Sequence, residues 1–498
     1  MDFIDPVKQR KHKIRLFIGY GLISCAIILA TIVLLFAAYG YGLNSKGQII
    51  QSGLVFVSSA PAPATIRLNG QLNSATTNAR LQIPAGQYTI KLTRNGYRPW
   101  IRSLGVEGGS VEHFDYPVLF PTKVVTTTLK QYAAQPGLTT ESLSGQWLMT
   151  QDALNTDTFD EYNLSNPKQL ATSLPLTLTV PNNLFSSTQP TTSWSLVKWF
   201  SDNNHVILQR NYSGGSEYIL FDRQTPADSV NLTATLKLDA TTSLSFYNNN
   251  DSQYYLYDTD DDSLSEATLS NPQPIVILKN VLNFDAYANN AIIYVTGSGA
   301  PSGKVLVNVL QGKQVFHVGQ MQSGMSQYLV AMSQFSGNWY VAFSSSGEGK
   351  VYLYENPVAD LQNQPKSPLV PLAILQINQP SFLSFSGNSQ ILAAQNGDVF
   401  TTYDVLNQHA YSYQVGSDIP ATEQATWMDS YHFTVVSGSR VLVFDYDGSN
   451  LQTLQPAIAG FPTLLDPTHK WAYVLAPDIA NPALIDLTST ALRTPVDQ

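Results

Sequence analysis

The sequence predicts a mainly β protein with one N-terminal transmembrane helix, a small β-sandwich, and then a β-propeller of seven or eight blades. Three observations carry that prediction. Residues 16–39 hold no charge, and residues 47–120 alternate apolar and polar positions between turn signals. From about Gly137 an aromatic-rich strand pattern recurs roughly every 40 to 50 residues, the period of a four-stranded propeller blade. The expected boundaries are a tail at 1–15, the helix at 16–39, a linker at 40–46, the sandwich at 47–120, a linker at 121–136 and the propeller at 137–498.

Lys8, Arg10, Lys11, Lys13 and Arg15 precede Leu16–Tyr39, and the next charge is Lys46. At about 1.5 Å per residue such a helix is roughly 36 Å long, enough to cross a hydrocarbon core of about 30 Å. Basic residues on one flank alone place the tail in the cytoplasm and everything beyond the helix outside. Two other fates fit the segment. Leu22-Ile23-Ser24-Cys25 has the form of a bacterial lipobox, which would make Cys25, the single cysteine, a lipidation site. Ordinary signal cleavage after Ala37-Ala38-Tyr39 is the third, although secretory signals have shorter apolar cores. An uncleaved anchor accounts best for the continuous apolar run.

With one cysteine the exported part has no intramolecular disulfide, which favours a prokaryotic surface protein over a eukaryotic secreted one. The tail carries +3 against −9 for the whole chain, which leaves −12 beyond residue 15. An acidic ectodomain argues against nucleic acid and against an anionic membrane surface.

In the sandwich, Leu54–Val57 begins the β pattern and Asn69-Gly70 marks a two-residue hairpin. Pro84-Ala85-Gly86 turns the chain into a strand on which Tyr88, Ile90 and Leu92 share one face. Asn95-Gly96 closes a further hairpin, and a last strand pair runs through 101–106 and 111–116 around Gly108-Gly109. The strand Val55–Ser58, Pro61 with Ala64, Ile66–Gly70, Pro84-Ala85-Gly86-Gln87-Tyr88-Thr89-Ile90 and Gly96-Tyr97 together resemble a PEGA domain. The naming tetrapeptide keeps only its first and last letters, as Pro61-Ala62-Pro63-Ala64. The resemblance implies a small β-sandwich on a bacterial or archaeal surface protein and supplies no catalytic set.

Beyond it, Leu196–Leu208 parallels Phe382–Ala393, and Glu217–Asp222 parallels Arg440–Asp445. First strands are placed around Trp147, Trp199, Phe246, Phe284, Phe335, Phe385, Trp427 and Leu465. The units lack a Trp-Asp ending, so they resemble TolB-like propeller repeats more than WD40 repeats. A long array of β-sandwiches is the alternative, without the fresh starts such arrays show.

Few constellations carry chemistry. Asp258, Asp260 and Asp262 have the opening spacing of a calcium loop, but Ser263 and Leu269 occupy the positions of its glycine and bidentate ligand, so a solvated turn is the plainer reading. Gly297–Val305 lacks a phosphate loop's glycine spacing and hydroxyl and reads as a hairpin. The seven histidines are isolated, and there is no Gly-x-Ser-x-Gly elbow. Most tryptophans sit inside strand patterns; Trp100 and Trp194 are the least constrained and become the ligand-binding candidates. No cofactor is expected.

These readings point to a membrane-anchored cell-envelope protein that binds or scaffolds and is not an enzyme. Its partner would be a wall glycan or a surface protein, with no nucleic acid. The alternatives are an envelope hydrolase or lyase built from channel loops, and a sensor acting through a membrane partner, because fifteen cytoplasmic residues leave no output domain.

Overall fold

The computed structural model describes residues 6–38, 40–43, 47, 49–154, 156–247, 250–287, 291–364, 367–416 and 418–497. Residues 1–5 of the expected tail, Tyr39 and residues 44–46 lie outside them. The described chain forms two compact units: residues up to Lys123 joined by Thr494–Asp497, and Val124–Arg493.

The first unit opens with the helix Pro6–Ala38, whose stretch Lys13–Ala38 is long and apolar enough to cross a membrane and buries nothing within the protein. Cys25 is exposed on it. Two four-stranded sheets follow. In one, Ile49–Val57 pairs antiparallel with Tyr41–Leu43 and Ala79–Pro84 and in parallel with Val111–Phe114. Part of the expected 40–46 linker is therefore strand. The other sheet runs in the order Gln71–Thr76, Thr65–Leu68, Gly86–Thr93, Trp100–Val106. Leu68 pairs with Gln71 across Asn69-Gly70, both with positive φ, as the hairpin signal requires. The expected pairing of 101–106 with 111–116 does not form; those strands go to different sheets. Val55, Val57, Ile66, Ile90, Leu92 and Trp100 are fully buried in the core, which is what alternation on facing sheets provides. The C-terminal residues close on this unit, where the Asp497 carboxylate accepts from the Arg94 guanidinium and from the Tyr97 hydroxyl at 2.8 Å.

The second unit is a propeller of eight four-stranded antiparallel sheets among the described residues. We number the blades 1–8 in chain order and their strands a–d from the inside outward. The a strands are Thr139–Glu141, Thr191–Trp199, Thr242–Tyr247, Val281–Tyr287, Tyr328–Phe335, Phe382–Phe385, Thr426–Trp427 and Leu464–Leu465. Every aromatic or leucine anchor expected from the sequence lands in its own blade. Seven lie on strand a, and Trp147 opens strand b of blade 1 (Trp147–Gln151).

Two expected boundaries move. The stretch 121–136 is no linker, because Val125–Tyr132 is strand d of blade 8, paired antiparallel with strand c, Ile485–Ala491. The propeller therefore runs from Val124 to Arg493. Its ring is closed by a strand from before blade 1, so opening it means stripping that whole ladder. Lys130 reinforces the seam with a 2.6 Å bond to Asp160 in strand c of blade 1, Thr158–Asn163.

The sequence repeats recur as a three-part clamp on one face of the propeller. In blade 2, His205 lies 2.6 Å from Asp202 of the a–b turn and 3.5 Å from Asp222 at the end of strand c, Gly215–Asp222. In blade 7, His432 stands 2.8 Å from Asp429 and 3.4 Å from Asp445. In blade 6, Gln390 takes the histidine's place and donates to Asp404 at 3.1 Å, with Asn388 as the turn residue. Each clamp ties an a–b turn to a c–d turn, and the side-chain oxygen at 202, 388 or 429 also accepts from the turn's own backbone.

Candidate functional site

On that same face most c–d connections are short, as with Gly312-Lys313 in blade 4, but two are long: 164–175 in blade 1 and 356–372 in blade 5. Each long connection folds a short helical turn, and each helical turn borders a cavity.

The blade 1 connection carries the 3₁₀ turn Pro167–Thr172, with Pro167 in its first turn and Leu170 buried beneath it. On one side lies a cavity of about 800 Å³ reaching toward blade 2, lined by Trp147, Glu161, Asn163, Gln169 and Arg223 among others. On the other side a cavity of about 500 Å³ reaches toward blade 8, lined by Lys168, Asp466, Lys470 and Trp471. Asn166 and Gln169 line both, so the two adjoin. These volumes fall within the roughly 300–1,000 Å³ of small-molecule sites.

The wall of the larger cavity is built from charge and ring. Arg223, the first residue after strand c of blade 2, stacks its guanidinium 3.7 Å from the Trp147 ring. Its Nη1 donates to both Glu161 oxygens at 3.1 and 3.2 Å, and its Nε donates to the Asn203 carbonyl at 2.9 Å. Both charged side chains are less than a tenth exposed. Desolvation raises the Glu161 pKa, and Arg223 pulls it back only in part. The Nη2 of Arg223 has no hydrogen-bond partner among the described residues, so it is the donor a ligand would meet. In the smaller cavity the buried Asp466 is committed to backbone, accepting from the amides of Lys470 and Trp471 at 2.7 and 2.6 Å.

The blade 5 connection places the helix Pro357–Asn363 beside a smaller cavity of about 180 Å³ lined by Trp339, Val341, Val358 and Gln362. It is mostly apolar.

Two inner strands carry recessed carboxylates. Glu141 accepts from the Leu465 amide at 2.6 Å, and desolvation pushes its pKa up to about 8 with a further rise from Asp466. Asp285 accepts from the Met332 amide at 3.2 Å, and desolvation pushes it up to about 6. Each is bonded to the inner strand of an adjacent blade, blade 8 for Glu141 and blade 5 for Asp285. Among the described residues, no three His, Cys, Asp or Glu are grouped to hold a metal ion.

Both candidate tryptophans are corrected by the structure. Trp100 is completely buried in the sandwich core, 6.0 Å from Tyr116, and Trp194 is 2% exposed, with its indole N–H donating to the Thr156 carbonyl at 2.8 Å. Neither can stack on a ligand. The half-buried Trp147 and Trp471 line the cavities instead. What would have singled them out is the long connection after Asn163, which interrupts the repeat. Asp258, Asp260 and Asp262 sit in and beside the turn joining Asn250–Asp258 to Ser263–Ala267. Asp258 accepts from Thr241 and from the Asp260 amide at 2.9 Å, and Asp262 from Tyr257 at 3.2 Å. The calcium-loop spacing is thus spent on turn geometry. Gly297–Gly303 is the hairpin expected there, joining Ala291–Thr296 to Lys304–Gln311.

Residues 52–118 match the PEGA domain model, in agreement with the resemblance read from the sequence. No curated protein matches the chain. Among solved structures, Kluyveromyces lactis Hsv2p is 12% identical, covers 64% of this chain and 97% of its own, and has a TM-score of 0.39. Apo AztD from Citrobacter koseri is 9% identical over 79% of this chain and 96% of its own, with a TM-score of 0.36. A putative 6-phosphogluconolactonase from Bacteroides fragilis is 14% identical over 61% and 95%, with a TM-score of 0.35.

Proposed function

We propose that this chain is a membrane-anchored binding or scaffolding protein of the cell envelope, with its propeller outside the cell and an envelope component held in the blade 8–1–2 groove. A wall glycan or a surface protein is the partner class. The apolar helix, which fits a single-pass anchor or a signal sequence, and the PEGA match support the setting. The observation that carries the reading is the wall of Trp147, Arg223 and Glu161: a stacked ring and a buried ion pair with an unused donor, facing a cavity of ligand size. A binding role without catalysis is supported by the use of Glu141 and Asp285 as braces, each bonded to the backbone of an adjacent blade.

The test is co-sedimentation of the full chain, held in lipid nanodiscs, with purified insoluble envelope material. Wild-type protein should pellet with it, and Trp147→Ala should pellet several-fold less. Equal sedimentation of the two would remove the groove from the reading.

A further inference from the structure

We infer that the groove's ligand is a linear, uncharged glycan strand that crosses the Pro167–Thr172 turn and occupies both adjoining cavities at once. This rests on the binding role proposed above and narrows its ligand.

The chemistry of the larger cavity selects the class; the second, where Lys168 and Lys470 stand beside the one carboxylate of Asp466, is what the polygalacturonate arm of the experiment tests. In the larger cavity the positive charge of Arg223 is already matched by Glu161, so the guanidinium offers an N–H without an unbalanced charge. Such a donor suits a neutral acceptor, a sugar hydroxyl or an acetamido carbonyl, better than a carboxylate or phosphate. Trp147, with the Arg223 guanidinium stacked on its ring at 3.7 Å, lines the same space, and its uncovered surface is the apolar wall a pyranose would meet. Asn166 and Gln169 are exposed amides, each offering donor and acceptor together, which is what vicinal hydroxyls require, and the exposed Asn163 adds its amide N–H while its Oδ1 accepts from the Ser165 amide at 3.0 Å.

The layout selects the length. Trp471 in the second cavity repeats the half-buried tryptophan of the first, and Asn166 and Gln169 face both spaces. A single sugar can touch one tryptophan; only a strand passing the two amides touches both.

The experiment measures dissociation constants of the full chain in nanodiscs for chitobiose, chitohexaose, cellohexaose and a polygalacturonate hexamer, by calorimetry. A neutral hexamer should bind roughly tenfold or more tighter than the disaccharide, because it adds the second ring contact. Trp147→Ala and Trp471→Ala should each weaken the hexamer by roughly tenfold. Gln169→Ala, at an exposed position that cannot unfold a core, should weaken the hexamer several-fold. Trp147→Phe, which keeps a ring, should recover part of the Trp147→Ala loss.

Equal affinities for dimer and hexamer would overturn the strand. Binding confined to polygalacturonate and lost with added salt would overturn the neutral class. If the chain pellets with envelope material yet binds no neutral oligosaccharide, the glycan assignment fails and the envelope-binding role stands. If it does neither, both fail.

Discussion

Removing one half of the Arg223–Glu161 pair tests how the groove is built. In Arg223→Met the Glu161 carboxylate keeps its burial and loses the partner that donates at 3.1 and 3.2 Å. Both side chains are less than a tenth exposed, so solvent does not screen the loss. Breaking a buried pair of this kind costs about 3–5 kcal/mol, mostly from the stranded charge. The double substitution Glu161→Met with Arg223→Met strands no charge and should cost far less than either single change. The sign with pH follows. Burial already raises the Glu161 pKa, and without Arg223 it rises further. A carboxyl whose folded pKa exceeds its unfolded value penalises the fold above the unfolded pKa, and the penalty fades as pH falls. The Arg223→Met deficit should therefore be full near neutral pH and shrink toward about pH 5. The assay is urea unfolding followed by tryptophan fluorescence at both pH values, with all four members of the cycle. A single substitution costing under about 1 kcal/mol, or a double costing the sum of the singles, would refute this account of the wall.

The blade 7 clamp makes a second titration prediction. Burial acts to lower the His432 pKa, but Asp429, then Asp445 and Asp447, outweigh it and the net shift is upward. A histidine raised in the fold stabilises it fully below its unfolded value of about 6.5 and loses that contribution as pH climbs through the raised value. His432→Gln, which copies Gln390 of blade 6, should fold and flatten the alkaline fall in thermal stability; an unchanged profile would exclude the clamp as its source. Gly145 has φ +67°, and an added Cβ would sit 2.9 Å from the Leu465 carbonyl, so Gly145→Ala should cost about 1–2 kcal/mol at the blade 8–1 seam by urea unfolding. Lys130→Ala removes the 2.6 Å bond to the buried Asp160 and should cost about 1–3 kcal/mol in the same assay, with no loss if the seam is held by the ladder alone. A reporter enzyme fused after Gln498 should be active only on the outer side of the membrane, and cytoplasmic activity would reverse the proposed topology.

What was legible in the sequence was whatever leaves a local pattern. An uncharged run marks the helix, Asn69-Gly70 forces its hairpin through positive φ, and apolar alternation in 86–93 sets Ile90 and Leu92 on the buried face. The blade anchors were readable because strands inside a blade are covered on both sides and must be apolar or aromatic. The closing strand was not readable. Val125–Tyr132 reads Val-Thr-Thr-Thr-Leu-Lys-Gln-Tyr, and as an outer strand it needs no apolar face beyond Leu129 and Tyr132. The groove was hidden for a related reason. Trp147, Glu161, Asn166, Arg223 and Trp471 come from three blades, and no spacing in the chain announces that they meet.

The sequence by itself determined the apolar helix, the sandwich, the repeat and the near absence of catalytic signatures, because each follows from residue type and period. Only the tertiary structure decided the blade number, the strand that closes the ring and the tryptophans that face a cavity. Local pattern ranks Trp100 as a freer ring than Trp147, and the fold reverses that order. Facing sheets seal the first in a core, while the long connection at 164–175 leaves the second at the wall of a cavity, with an arginine laid across its ring.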